Sequence, residues 1–180
     1  MTELETKNQK PETGRWAGLL IAVSPLLLLL NCWNAPFLPY DDDGHIFANL
    51  GPLHWGRLFL APQDSTYFPL TILSYRLDAL LFPWLYGLLG TWAPGVRLMT
   101  CVYHAAAALF VWRIVGLLGL SRGKALFVAL VFAVHPTACE TVCWASERKN
   151  ALAGLFGFAS LWAFLRFEGQ RRRMPLAVLF

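Results

Sequence analysis

Between residues 96 and 120 the chain carries only two charged side chains, Arg97 and Arg113, in a run otherwise dominated by alanine, leucine and valine. As a helix rising about 1.5 Å per residue, such a run covers the roughly 30 Å hydrocarbon core of a bilayer. It therefore needs either a large protein core or a membrane around it. The 180-residue chain leaves little room for the first: 57% of its residues are apolar and 14% are charged, against about 25% charged in an ordinary soluble domain. That is too little polar surface to coat a small soluble particle, and too much apolar side chain for a disordered or fibrous one. The net charge of +4 does not imply a nucleic-acid partner, because the arginines punctuate apolar runs rather than forming one basic face.

The expected fold is all-α and polytopic, with the lipid bilayer as a partner. Residues 1–15 form a cytoplasmic tail, 16–33 a first transmembrane helix, and 34–94 a long outer loop. Residues 95–120 form a second transmembrane helix. The segment 121–166 holds a short helix, an outer stretch rich in charge and a further transmembrane helix, and 167–180 a basic cytoplasmic loop that opens a further apolar run. A cleaved signal peptide is the competing reading of the first run. The run is long for that role, and no small-x-small site precedes Asn34. The run over 125–134 is short and crosses only if its helix extends. With the N-terminus inside, ten of the fifteen basic residues fall on the cytoplasmic side, as the positive-inside bias requires. The same topology places Asp41, Asp42, Asp43, Asp64, Asp78, Glu140 and Glu147 outside. Within the outer loop, residues 44–60 and 71–89 have helical spacing, and 80–92 is apolar enough to dip into the membrane.

Two constellations could carry chemistry. Asp41, Asp42 and Asp43 follow a proline-containing turn, and three adjacent carboxylates favour uptake of a proton, a cation or a basic partner. They read either as a general base with neighbours that orient an acceptor or hold a divalent metal, or as a helix N-terminal cluster. The second constellation runs from His135-Pro136 through Glu140 and Trp144 to Glu147-Arg148-Lys149-Asn150. Pro136 restricts His135 to extended geometry and lets a helix begin, placing Glu140, Trp144 and Glu147 or Arg148 on one face. Arg148 and Lys149 could grip a lipid phosphate, or snorkel at the interface with Glu147 as partner. The four histidines lack metal-ligand spacing, and His104 reads as a satisfied interior residue. Cys32, Cys101, Cys139 and Cys143 read as packing residues, with no need of a disulfide framework.

Taken in order, Tyr40-Asp41-Asp42, Phe68-Pro69-Leu70-Thr71 with Ser74 to Asp78, and His135-Pro136 through Glu140, Val142, Trp144 and Ser146-Glu147-Arg148-Lys149 resemble the membrane part of the transmembrane and tetratricopeptide-repeat proteins. These are C-type (GT-C) glycosyltransferases related to protein O-mannosyltransferases. The resemblance runs from Tyr40 to about Phe167. It implies the N-terminal helices of a GT-C-like fold, a polyprenyl-phosphate sugar donor, commonly mannose, and a hydroxyl acceptor on a protein at the outer face. Carried over, Asp41 or Asp42 is the catalytic base, Glu140 the second-loop acid, and Arg148 with Lys149 the donor-phosphate ligands, supported by Asp43, His135 and Glu147. An inverting transfer from a lipid phosphate needs such a base, and positive charge for the departing phosphate.

Two positions depart from the pattern: Asn150 stands where an aspartate often follows Glu-Arg-Lys, and Asp43 is an additional acid. No helical-repeat pattern follows, so the chain reads as an N-terminal portion that is inactive alone. The competing reading is a non-catalytic membrane module that packs against partner helices. Glu-Arg-Lys and the short loops favour a bacterial inner membrane, with the endoplasmic reticulum as the eukaryotic equivalent.

Overall fold

A computed structural model of the chain describes residues 12–30, 32–39, 41–52, 54–60, 62 and 67–171. Tyr40, Asp64, most of the N-terminal tail and the final run over 174–180 lie outside the described residues. Among those described, all regular structure is helical.

Helix α1 (Glu12–Val23) continues through a turn at Ser24-Pro25 into the short α2 (Leu26–Leu29). Proline has no N–H to extend the ladder. The turn is closed instead by Ser24 N–H to the Leu20 carbonyl (3.0 Å) and by the Ser24 hydroxyl to that of Ile21 (3.0 Å). The outer-loop segment expected to be helical over 44–60 is divided into α3 (Asp41–His45), a 3-10 turn (Phe47–Asn49) and α4 (Trp55–Leu60). The stretch 71–89 is likewise two helices, α5 (Pro69–Leu81) and α6 (Pro83–Leu89). Pro83 cannot donate within a continuous helix, and Gly90 ends α6 at a φ of 69° that L side chains disfavour.

Helix α7 (Ala93–Leu117) is the hub. Its first turn passes so close to the Phe82 ring that a Cβ on Gly95 would lie 2.6 Å from Phe82 Cγ, so only glycine fits. Helix α8 (Arg122–Val134) returns alongside it, extending the run at 125–134 by a turn at its start. Helix α9 (Ala138–Cys143), a 3-10 turn (Ala145–Glu147) and α10 (Arg148–Arg171) complete the order. Two helical segments, Ala93–Leu117 and Ala145–Gly169, are long and apolar enough to cross a membrane by length and composition. In the first, 44% of the apolar window is buried within the protein and in the second 11%, so α7 is central and α10 peripheral.

Three apolar clusters hold the bundle. Ile21, Ala108, Ala129 and Ala133 pack α1, α7 and α8 through small side chains that let the backbones approach. Leu28, Leu29, Cys32, Cys101, Ala138 and Val142 join α2, α7 and α9. Ile46, Tyr75, Val96 and Ala145 bring the segment over 41–81 onto the start of α7 and the turn before α10.

The structure corrects the reading of the cysteines. Cys32 and Cys143 form a disulfide, with Cα atoms 5.6 Å apart and a sequence separation of 111, while Cys101 and Cys139 are free. It staples the end of the first helical run to the end of α9.

Candidate functional site

The three segments that carry the sequence resemblance meet in one buried knot, and its centre is the turn Ala145–Glu147 with Arg148 behind it. Asp42, on α3, is 1% exposed. Its Oδ2 accepts the Leu38 N–H (2.7 Å), while Oδ1 accepts the Ser146 N–H (3.1 Å) and the Ser146 hydroxyl. Both carboxylate oxygens are thus engaged by the protein. Tyr75, on α5, donates its hydroxyl to the Ala145 carbonyl (2.7 Å). Burial pushes its phenol above the ordinary range, so it stays a neutral donor.

Arg148 does not stand at the surface with Lys149. Its side chain is wholly buried and ion-paired through Nη2 with the equally buried Asp78 of α5. Its Nε donates to the Thr100 hydroxyl (3.0 Å), Nη1 to the Ser74 hydroxyl (3.2 Å) and Nη2 to the Val96 carbonyl. The Tyr75 and Tyr103 rings flank the guanidinium at 4.6 and 5.6 Å. Burial pushes the Asp78 carboxyl up to about 6, with the Arg148 charge and hydrogen bond pulling the other way. Its Oδ1 has no hydrogen-bond partner among the described residues.

A second arginine completes the knot. Arg97 enters from the first turn of α7, 2% exposed, and donates from Nε to the Cys143 carbonyl (2.8 Å), from Nη1 to that of Ala35 and from Nη2 to that of Pro36 (2.9 Å). It satisfies carbonyls of two irregular segments that would otherwise be buried unpaired. In the sequence Arg97 stands only as one of two arginines that flank or interrupt a span. An arginine inside an apolar run was the signal that could have found it.

The remaining expected site residues lie around this knot. Asp41 is half-buried and Asp43 exposed, and their carboxylates have no partner among the described residues. Glu140 is exposed on α9 and is similarly unpartnered. Glu140 does not share a continuous helical face with Trp144 and Arg148: Trp144 is extended (φ −90°, ψ 116°) and breaks the chain into α9 and the following turn. Glu147 accepts from Lys149 Nζ (2.7 Å) and from the Asn150 amide, and Lys149 also reaches the Ser146 carbonyl (3.3 Å). His135 is extended before Pro136 as expected (φ −60°, ψ 137°). Its Nδ1 accepts the Thr137 N–H (3.3 Å) and meets the Thr137 hydroxyl at 2.8 Å. His104 is the satisfied interior histidine anticipated: its Nε2 reaches the Ala133 carbonyl (3.2 Å), left free because the helix ends before Pro136. Among the described residues, no three Asp, Glu, His or Cys side chains gather as metal ligands.

No protein-family model matches the chain, and no solved structure matches it. Curated relatives do. Over 155 residues, 76% of this chain, it is 31% identical to "Protein O-mannosyl-transferase TMTC3" of Mus musculus. Its relatives are the TMTC protein O-mannosyl-transferases. To tmtc2 of Xenopus laevis it is 29% identical over 83% of the chain, and to TMTC4 of Homo sapiens 26% identical over 84%. The matched lengths are 16%, 18% and 23% of those three TMTC proteins, so the chain spans less than a quarter of the relatives it matches. These TMTC proteins come from mouse, frog and human, and lend no support to a bacterial inner membrane.

Proposed function

We propose that the chain is the acidic-loop part of a multi-pass membrane glycosyltransferase that moves a sugar, mannose by analogy with its relatives' names, from a polyprenyl phosphate to a hydroxyl on a protein. The observation that carries the reading is the geometry of the acidic loop. Asp42 is fixed by Leu38 and Ser146, which leaves the adjacent Asp41 carboxylate unpartnered beside a rigid anchor. In this reading Asp41 is the base and Asp42 its positioning residue. Asp41 takes the proton of the acceptor hydroxyl as that oxygen bonds to the sugar's anomeric carbon. The bond from that carbon to the phosphate oxygen breaks, and the electron pair leaves with the lipid phosphate. Glu140 orients the acceptor from the second loop. Lys149, held by Glu147, supplies positive charge near the leaving phosphate, where the enclosed Arg148 does not reach.

The Cys32–Cys143 disulfide supports placing this loop on the outer side, since disulfides persist in oxidising compartments. The exposed leucines and phenylalanines of α1, α8 and α10 suit a lipid surround. The test is sugar transfer by the full-length protein. Asp41→Asn and Glu140→Gln should each lower it by a factor of 100 or more while insertion and the disulfide persist, on the order of the contribution of general acid–base catalysis. Undiminished transfer in both variants and in Asp42→Asn sinks the reading.

One observation favours a second reading, a membrane module that only packs against partner helices: Asp42 and Arg148 are both consumed by internal partners. That reading expects substitutions at the motif residues to change stability and nothing else.

A further inference from the structure

At the ends of α7 and α10 that point away from the knot, aromatic rings hold two arginines in place. The two helices run parallel: Arg148 meets Thr100 in the knot, and further along both chains Phe110 meets Trp162, with ring centroids 5.7 Å apart. Arg113 lies three residues beyond that contact on α7 and Arg166 four beyond it on α10, about 4.5 and 6 Å at the helical rise. Each is within about 60° of the contact around its own helix axis, so the two cations stand at one depth on adjoining helices. The Arg113 guanidinium lies over the Trp112 ring at 5.6 Å, and that of Arg166 over the Trp162 ring at 5.2 Å. Trp112 is itself packed on α1, where a Cβ on Gly18 would lie 3.7 Å from its ring. Both arginines are exposed, and neither has an ion-pair partner among the described residues.

We propose that this edge of α7 and α10 seats one anionic phospholipid of the inner leaflet, with its phosphate between Arg113 and Arg166. The inference rests on the membrane placement proposed above and not on the reaction, since this end of the helices lies opposite the acidic loop. Arg113 stands twenty residues from the start of α7 at Ala93, about 30 Å along it, which crosses the hydrocarbon core and sets the guanidinium at headgroup level. Tryptophan suits the same level. The charge is complementary: two guanidinium groups without an internal carboxylate face an anion that accepts charge-assisted, bidentate hydrogen bonds. Stacking on the indole rings restrains each guanidinium before the lipid arrives, which lowers the ordering cost of binding. Toward the knot, Val102 of α7 and Phe156 and Leu161 of α10 are exposed and give the acyl chains apolar surface. Basic sites between spans on the cytoplasmic side hold anionic head groups in this way.

The experiment uses the full-length protein in phosphatidylcholine nanodiscs that carry a diazirine-bearing phosphatidylserine, with labelled residues mapped by peptide mass spectrometry. Label is expected within 102–117 and 156–167, displaced by unlabelled phosphatidylserine at least tenfold better than by phosphatidylethanolamine. Arg113→Gln/Arg166→Gln should reduce that label at least fivefold at unchanged thermal midpoint, and each single substitution at least twofold. Arg122→Gln/Lys124→Gln removes the same charge from the same side of the membrane and should leave the label as it is. Equal displacement by phosphatidylethanolamine, label confined to other segments, or an equal loss in the Arg122/Lys124 variant would overturn the proposal, the last by showing diffuse surface charge instead of a seat. Stronger displacement by an isoprenyl phosphate than by phosphatidylserine would overturn it too. Label retained with transfer undiminished in Asp41→Asn and Glu140→Gln supports the lipid seat and removes the catalytic reading. Transfer lost in those variants with no label in the two segments removes the lipid seat alone.

Discussion

Arg148 illustrates how a charged side chain can be held wholly inside a protein: an ion pair to Asp78, two hydroxyl acceptors, one carbonyl and two aromatic faces surround it. Removing one partner of such a pair strands the other charge. Arg148→Met should therefore destabilise the protein by about 3–5 kcal/mol. The double variant Asp78→Leu/Arg148→Met should recover most of that loss, read as thermal or denaturant midpoints in detergent. A double variant as unstable as the single one would show that the pair's hydrogen bonds, not its charges, matter. Asp78 also gives a pH signature. Its folded value of about 6 lies above the ordinary 3.8, so the folded state binds the extra proton. The stability it contributes is present below about pH 4 and is lost as pH rises through 6. The wild-type midpoint should fall between pH 5 and 7 by more than that of Asp78→Asn. At this scale the sequence marked several of the residues that meet in the knot but not how each is partnered there. Asp42, Arg148 and Ser146 were visible as motif members, yet which of two neighbouring acids or bases turns inward depends on helix phase, and Trp144 resets that phase by leaving the helix.

The elements were legible where they were long. The apolar pattern over 96–120 locates α7, and 151–165 locates α10, because ten or more periodic residues outweigh local exceptions. The outer loop was less so: its apolar spacing continues through Pro83, where the backbone cannot, and the helices over 41–60 are shorter than the pattern implies. The disulfide was not legible at all, since the sulfurs of Cys32 and Cys143 meet only after α2 and α9 pack. That crosslink closes a long loop, and removing it should cost about 2–4 kcal/mol. Cys32→Ser is expected to lower the thermal midpoint. Dithiothreitol should lower the wild-type midpoint to a similar level and leave the variant unchanged. Thiol alkylation that finds four free cysteines without reductant would refute the crosslink.

Across the whole molecule, the knot gathers the polar irregular segments at one end of the helices and leaves apolar side chains around the rest. Charge counting along the sequence expects acids at one side of a membrane and most basic residues at the other. In a Cys101→Ala/Cys139→Ala background, Asp43→Cys in sealed vesicles should react with a membrane-impermeant maleimide only from the face that bears the disulfide, and Ser121→Cys only from the opposite face. Reaction of both from one face would remove the proposed topology. The pairing of distant segments also has a consequence in time. Asp42 and Ser146 are 104 residues apart, and Asp78 and Arg148 are 70 apart. At translation rates of about 5–20 residues per second, the outer loop waits roughly 5–20 s for the turn that closes it. During that interval Asp42 has no Ser146 to bind, Asp78 no cation, and Cys32 no Cys143. The nascent loop is therefore open to solvent, to chaperones and to mispairing of Cys32 with other thiols until the residues just before α10 emerge.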